Sequence, residues 1–264
     1  MPHQSLAALL AALLLSAPAS AQTIVPGDFY ADDAVGIVAD PCPTHPKPTD
    51  SYQMYNLHML TRDYGQICRY AAQNAALKTP TRVVFLGDSI TDNWIGADAS
   101  LFANGLLDRG ISGQTTPQML IRFRNDVVLL HPKAVHIMAG TNDIAGNTGA
   151  ATMATVEGNI ASMAELAHAN GIKVILASTP PASAFPWNPS KHPSPQIVEL
   201  NAWIRGYAKT HGYTYVDYYT ALTTPEGGMK PGLSSDGVHP TPAGYAIMKP
   251  LALAAIAKTL GTGK

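Results

Sequence analysis

A serine that directly follows an apolar run is the first residue of this chain that could do chemistry. Residues 83–86 read Val-Val-Phe-Leu and predict a buried strand, and residues 87–91, Gly-Asp-Ser-Ile-Thr, come immediately after it. A small glycine turn at the end of a strand can present one serine hydroxyl at the edge of the sheet. Serine is a weak nucleophile unless a base removes its proton, so the chain must also supply that base.

A candidate base lies near the other end of the chain. Residues 236–239 read Asp-Gly-Val-His, which places a carboxylate three residues before an imidazole. Ser89 would attack an ester carbonyl while His239 accepts its proton and later returns it to the leaving alcohol. Asp236 would hold the imidazole tautomer and offset its positive charge. These residue types therefore predict a Ser-His-Asp catalytic triad for acyl transfer.

Two more short motifs lie between the serine and the histidine. Gly113 stands within Gly-Ile-Ser-Gly-Gln-Thr, and Asn142 stands within Gly-Thr-Asn-Asp. A serine, a glycine, an asparagine and a histidine in this order resemble the SGNH (GDSL-type) hydrolases over roughly residues 81–250. The resemblance implies an esterase that needs no metal and no organic cofactor. It also implies an oxyanion hole made of the backbone N–H groups of Ser89 and Gly113 and the side-chain amide of Asn142.

The elements that would position these residues alternate along the chain. Short apolar strands are predicted at residues 82–86, 106–111, 134–139, 172–178 and 213–216, and helices at 116–130, 152–170, 194–211 and 242–259. Such alternation favours a parallel sheet that is covered by helices on both faces. The carboxyl ends of parallel strands form the ligand crevice, so the motifs are expected to converge there. The resemblance implies a flavodoxin-like, three-layer α/β/α fold with a mostly five-stranded sheet.

Residues 1–21 are predicted to be a signal peptide. Residues 6–15 are an unbroken run of Leu and Ala, and residues 19–21, Ala-Ser-Ala, form a cleavage site before Gln22. This apolar run is too short to span a bilayer, and no cysteine stands at the cleavage site to carry a lipid anchor. A secreted or periplasmic protein without a stable membrane anchor is therefore expected.

The remaining chain is expected to consist of an extension and one main domain. Residues 22–79 begin with a Pro-, Asp- and Thr-rich arm, and apolar side chains at about helical spacing predict one or two helices within residues 51–77. Residues 80–264 are expected to be the hydrolase domain. In an oxidising compartment Cys42 and Cys68 are expected to form a disulfide, with two separate buried thiols as the alternative.

Composition and charge exclude several classes of partner. The 264 residues include 17 basic and 18 acidic side chains, with no run of lysine or arginine. Nucleic acid and an anionic membrane surface are therefore not expected as partners. With 46% apolar residues the chain is expected to be globular, and with only 13% charged residues its surface must rely on neutral polar groups. The expected partner is a small-molecule or glycan ester.

Two other classes of protein explain the motifs less well. The α/β-hydrolases place their nucleophile within G-x-S-x-G and their acid far from the histidine. Here Thr91 stands two residues after Ser89, and Asp236 lies three residues before His239, which favours the SGNH arrangement. A non-catalytic carbohydrate-binding module would keep aromatic residues but would not need Ser89, Asn142 and His239 together.

The substrate is predicted from the exported and polar character of the chain. Carbohydrate O-acetylesterases, lipase-like enzymes, lysophospholipases, thioesterases and arylesterases share the motifs of the family. A polar exported protein favours short acyl groups, acetyl above all, on a carbohydrate. The Pro-rich residues 180–195 follow a predicted strand, so Trp187 and His192 are expected to contact the alcohol part of the ester. A rigid surface loop with Trp187 packed inward is the alternative.

Three other polar residues of these segments are interpreted as structural. Asp88 and Asp143 stand next to the predicted catalytic residues and are expected to brace their loops. His136 lies inside a predicted strand, where a buried imidazole with a hydrogen-bond partner is expected.

Overall fold

The computed structural model of the protein describes residues 59–261. The predicted signal peptide, the Pro-rich arm and Cys42 lie outside these residues, so the cleavage site and the disulfide stay predictions, as does the domain boundary at residue 80. Within the described part of the predicted helical segment 51–77, residues 59–61 and helix α1 (Ala71–Ala75) are helical. Turns join these two short pieces.

Five parallel strands form one sheet in the order β2-β1-β3-β4-β5. They are β1 (Val83–Gly87), β2 (Leu106–Gly110), β3 (Ala134–Met138), β4 (Lys173–Ala177) and β5 (Thr214–Val216). Every residue of β1 and β3 is buried, as expected of parallel strands that are covered on both faces. The predicted fold class and all five predicted strands are confirmed.

Helices connect the strands and cover both faces of the sheet. After β1 come α2 (Ser89–Asp92) and α3 (Trp94–Ala97), and the later helices are α4 (Thr116–Asp126), α5 (Thr141–Ala145), α6 (Met153–Ala169), α7 (Ser194–His211), α8 (Tyr218–Leu222) and α9 (Pro242–Leu260). The prediction of one helix over 116–130 is wrong at its end, because α4 stops at Asp126 and a 3₁₀ turn covers Val128–Leu130. Two consecutive β-branched residues, Val127 and Val128, lie at this break and bury their side chains there.

Alternate residues of the strands build two separate cores. Val84 and Leu86 of β1 pack into the core beneath α4, α6 and α7. Val83 and Phe85 point to the other face and pack into the core beneath α8 and α9. Because successive side chains of a strand point to opposite faces, this alternation produces the three layers of the fold.

The strand order places a crevice beside β1. The chain passes from β1 to β2 on one side and then returns to β3 on the other side of β1. In open parallel sheets this reversal leaves a cleft outside the carboxyl ends of the strands, which is where ligands bind. The loops that follow β1, β2 and β3 meet at this edge. Within residues 59–261, no helix has the length and apolarity needed to cross a membrane.

Candidate active site

Ser89 is the first residue of α2 and follows β1 almost directly. The carboxylate of Asp88 caps this short helix by accepting a hydrogen bond of 2.9 Å from the Ile90 N–H. Gly87 is required at the end of the strand, because a Cβ there would lie 2.0 Å from the Thr91 hydroxyl. The sharp turn therefore holds the Ser89 side chain at the edge of the sheet.

The histidine and the aspartate reach Ser89 from a loop that precedes α9. His239 Nε2 lies 2.9 Å from Ser89 Oγ, and His239 Nδ1 lies 2.6 Å from Asp236 Oδ2. The other carboxylate oxygen of Asp236 accepts the backbone N–H groups of Val238 and His239, at 2.9 and 2.8 Å. This local turn orients the carboxylate, so a continuous chain of hydrogen bonds joins Asp236, His239 and Ser89.

The charge state of Asp236 suits this arrangement. Burial raises the pKa of the carboxyl, but hydrogen bonds from the His239 ring and from the backbone N–H groups of His239 and Val238 lower it to about 2. Asp236 is therefore ionised throughout the neutral range. A carboxylate on Nδ1 keeps a proton on that nitrogen and leaves Nε2 free to accept a proton from Ser89.

Asn142 lies in α5, just after β3, and its amide orientation is determined by two partners. Its Nδ2 donates to the Gln114 carbonyl at 3.0 Å, and its Oδ1 accepts from Asn147 Nδ2 at 2.9 Å. An amide nitrogen carries two N–H groups, so one remains for a ligand. Asn142 lines the same cavity as Ser89.

Gly113 lies in the loop after β2 and lines the same cavity. Its φ angle of +81° is one that L side chains rarely adopt, and a Cβ built at this position would meet no atom within 4 Å. Glycine is therefore needed for the backbone conformation, and its backbone is open to a ligand. The structure brings together Ser89, Gly113, Asn142 and the Asp236–His239 pair.

The cavity at this edge has a volume of about 660 Å³. Part of its wall comes from the extension, whose Met59, Leu60, Gln66 and Arg69 line it. The Gly65 carbonyl accepts from Gln114 Nε2 at 3.2 Å, which ties the extension to the Gly113 loop. The predicted extension therefore forms part of the site, a role that no local pattern in its sequence indicates.

Trp187 also lines the cavity, whereas His192 is exposed and does not line it. The indole stacks on buried Phe185 and lies 6.0 Å from the His239 ring, with 45% of its surface exposed. Its Nε1 donates to Asn147 Oδ1 at 3.2 Å. Trp187 is thus held as an open aromatic face beside the imidazole.

Asn147 is a site residue that the sequence reasoning missed. Its Nδ2 reaches the Gly113 carbonyl at 3.3 Å as well as Asn142 Oδ1, and its Oδ1 accepts from Trp187. It therefore links three residues of the cavity wall. The only signal for Asn147 in the sequence is its position directly after Gly146, which ends helix α5.

Asp143 and His136 behave as the sequence predicts. Asp143 Oδ2 accepts from the Thr116 N–H at 2.9 Å, and its Oδ1 accepts from the Thr116 hydroxyl at 2.6 Å, which braces the first turn of α5 against the start of α4. His136 is fully buried, and its Nε2 lies 2.9 Å from the Tyr218 hydroxyl. Burial lowers the pKa of His136 to about 3, so it stays neutral.

Besides bracing its loop, Asp88 has a buried carboxyl oxygen, Oδ2, without a hydrogen-bond partner in the structure. Burial therefore raises the pKa of the carboxyl to about 6, although the hydrogen bond from the Ile90 N–H opposes this increase. A carboxyl with a raised pKa in the folded state contributes stability at low pH, and that contribution is lost as the pH rises through about 6.

We expect Asp88→Asn to gain stability relative to the wild type as the pH rises from 4 to 8. The amide keeps the acceptor for the Ile90 N–H but never ionises, so the variant avoids the cost of a buried carboxylate, and we expect a gain of about 2 kcal/mol. Urea unfolding of the variant and the wild type at pH 4 and pH 8 measures this difference in the free energy of unfolding. Asp98→Asn is the control, because the Lys249 ammonium and the Ser100 hydroxyl lower the pKa of partly exposed Asp98. Equal pH slopes for Asp88→Asn and the wild type would contradict the prediction.

Several known proteins are similar to this chain. The sequence model of the GDSL-like lipase/acylhydrolase family matches residues 85–247, which is more than half of the chain. A candidate acylhydrolase from Bacteroides fragilis is 49% identical, with 74% of this chain and 98% of its own covered and a TM-score of 0.72. A GDSL-like lipase from Bacteroides thetaiotaomicron is 48% identical, with the same two coverages and a TM-score of 0.71.

Two other proteins are less similar to this chain. An acetylxylan esterase from Geobacillus stearothermophilus is 20% identical, with 67% of this chain and 94% of its own covered and a TM-score of 0.54, and it shares the fold. A lipoprotein of Bacillus subtilis strain 168 is 31% identical over 128 residues, or 47% of this chain. The chain matches only 44% of the length of that curated relative.

The fold and these relatives define a class of α/β enzymes that hydrolyse esters. The chain belongs to the GDSL-like lipase/acylhydrolase family, and the resemblance carried by its four motifs is confirmed. Among residues 59–261, no group of three or more His, Cys, Asp or Glu side chains is arranged to hold a metal ion.

Proposed function

We propose that this chain is an exported serine esterase that removes short acyl groups, acetyl above all, from carbohydrates. The observation that carries the proposal is the hydrogen-bonded chain from Asp236 through His239 to Ser89, with distances of 2.6 and 2.9 Å. A base within hydrogen-bond reach of a serine, itself oriented by a carboxylate, is the arrangement that activates a weak nucleophile.

The reaction would proceed in two steps through an acyl-enzyme. Ser89 Oγ attacks the ester carbonyl carbon as its proton passes to His239 Nε2, and the resulting tetrahedral intermediate expels the alcohol, which takes that proton. Water then attacks the acyl-enzyme in the same way, with His239 again accepting and returning the proton. The carboxylic acid is released and Ser89 is restored.

The negative charge on the carbonyl oxygen would be stabilised by three donors. We assign them to the backbone N–H groups of Ser89 and Gly113 and to the unpaired N–H of the Asn142 amide. Donors that are already held in place by other contacts stabilise a developing charge without reorganising during the reaction. The contacts of Asn142 with Gln114 and Asn147 support this assignment.

The substrate assignment is supported by polar groups and one aromatic face in the cavity. Asn93, Ser112, Asn147 and Thr148 offer hydrogen-bond partners for hydroxyl groups, and Trp187 offers an open ring for the face of a sugar. We assign the alcohol part of the ester to this surface. The predicted signal peptide supports export, and the lipoprotein name of the Bacillus relative is compatible with it.

A lipase-like activity is the second candidate, and the apolar part of the cavity wall favours it. Met59, Leu60 and Ile111 line the cavity, and 46% of the Leu60 surface is exposed. A longer acyl chain that packs on these side chains would gain up to about 0.8 kcal/mol of binding for each buried methylene. The acyl-length preference therefore distinguishes the two functions.

We expect acetate esters to be preferred over octanoate and longer esters by kcat/KM. A p-nitrophenyl series from acetate to decanoate measures this preference, and acetate release from acetylated xylan measures it on a glycan. The Ser89→Ala protein is the blank for spontaneous hydrolysis. Activity that rises steadily with chain length would replace the acetylesterase proposal with the lipase-like one.

A further inference from the structure

A fully buried arginine lies behind the candidate active site without touching its cavity. Arg122 of α4 has no exposed surface, and its guanidinium makes three contacts. Its Nη2 donates to the Gly87 carbonyl at 3.0 Å, and its Nε donates to Gln114 Oε1 at 2.6 Å. Its Nη1 pairs with Asp126 Oδ2 at 3.1 Å. Gly87 ends β1, two residues before Ser89, so the guanidinium holds the strand end that carries the nucleophile.

Gln114 connects this arginine to the other two loops of the site. It follows Gly113 directly, its side chain accepts from Arg122, and its backbone carbonyl accepts from Asn142 Nδ2 at 3.0 Å. Gln114 is 1% exposed and does not line the cavity. Arg122 therefore contacts the Ser89 strand and the Gln114 side chain directly, and it reaches Asn142 through the same glutamine.

We infer that Arg122 and Gln114 are positioning residues that set the spacing of the three oxyanion donors. This inference rests on the proposed function, since it assigns a role to residues behind the same site. Each donor belongs to a different segment, after β1, β2 or β3, and the relative positions of these three segments must be correct to within a fraction of an ångström for all three donors to bind one oxygen. The Arg122–Gln114 pair is the shared anchor of these segments.

The chemistry of the guanidinium suits this role. A planar guanidinium donates in several fixed directions at once, which a lysine ammonium on a flexible stem does not reproduce. Burying its charge is costly and requires a partner, and Asp126, also fully buried, supplies the opposite charge. Asp126 is held in turn by Asn74 Nδ2 at 2.9 Å. An apolar residue would fill the same space, but it would not link Gly87 to Gln114.

Two variants of Gln114 test the inference. Gln114→Met keeps the shape but removes both side-chain contacts, whereas Gln114→Glu keeps an acceptor for Arg122 and loses the donor to Gly65. We expect kcat of Gln114→Met to fall about 10- to 100-fold, as a misplacement of about 1 Å does, with KM within about twofold of the wild type. Gln114→Glu is expected to recover most of the lost kcat.

Two variants of Arg122 extend the test. Arg122→Lys keeps the positive charge but loses the planar guanidinium and its several fixed donors. The double variant Arg122→Met with Asp126→Asn removes both charges and so leaves no unpaired buried charge. Both are expected to lower kcat as Gln114→Met does, with the pH profile unchanged, because the Asp236–His239 pair is intact. Tyr218→Phe is the control, since it removes a buried hydrogen bond to His136 on the other face of the sheet and should lower stability without changing kcat.

The outcomes separate this inference from the proposed function. A wild-type protein that a fluorophosphonate does not label at Ser89 would reject the proposed function itself. With labelling present, a normal kcat in folded Gln114→Met, or equal losses in Gln114→Met and Gln114→Glu, would overturn the inference. The Gln114 pair decides the question even where the Arg122 variants do not fold.

Discussion

Ser89→Ala is expected to lose essentially all ester hydrolysis while the fold is preserved. The nucleophile of a serine triad contributes up to about 10⁶ in kcat, and His239→Ala should remove activity to a similar extent because the two residues act as a unit. Ser89 Oγ contacts His239 Nε2 at 2.9 Å, and losing this single partly buried contact costs little stability. Hydrolysis of p-nitrophenyl acetate and the thermal unfolding midpoint measure the two properties.

Ser162→Ala is the matched control for this experiment. Ser162 lies on α6 and donates to the Gly158 carbonyl at 2.8 Å, away from the cavity, so its loss should leave the rate unchanged. Peptide mass spectrometry of a fluorophosphonate adduct should place the label on Ser89 in the wild type. More than a few per cent of activity in a folded Ser89→Ala protein would rule out the serine mechanism.

Asn142→Ala is expected to lower kcat by about 10²–10³, the usual effect of removing one oxyanion donor. KM should change little, because the charge on the oxygen develops only in the transition state. Asn142→Asp is the sharper variant: it keeps an acceptor for Asn147 Nδ2 but removes the donating N–H groups. Steady-state kinetics on p-nitrophenyl acetate provide both constants.

Loss of an amide that lies away from the cavity is the control for this second prediction. Asn170→Ala removes an exposed amide that donates to the Leu166 carbonyl at the end of α6, and it should leave both constants unchanged. If Asn142→Asp kept a normal kcat, Asn142 would be a structural residue of its loop and the oxyanion hole would consist of backbone donors alone.

The elements of the fold could be predicted because their patterns are local. Continuous apolar runs mark strands that are buried on both faces, and Thr241-Pro242 marks the start of α9, where the Thr241 hydroxyl accepts from the Gly244 N–H. The extension is harder to predict, because its described part makes only short helical pieces and is held by contacts with the Gly113 loop. Such contacts with another loop produce no regular spacing of apolar residues in the sequence.

The sequence by itself determined the family, the parallel sheet and the residues of the four motifs. Each motif sits after a strand or in a late loop, and the topology of parallel sheets then brings them to one edge. Tertiary structure alone decided which polar residues support them: Gln114, Arg122 and Asn147 belong to types that are ordinary in loops and on helices. Their roles arise from hydrogen bonds to residues distant in the chain, such as Arg122 to Gly87, and folding is what brings these partners together.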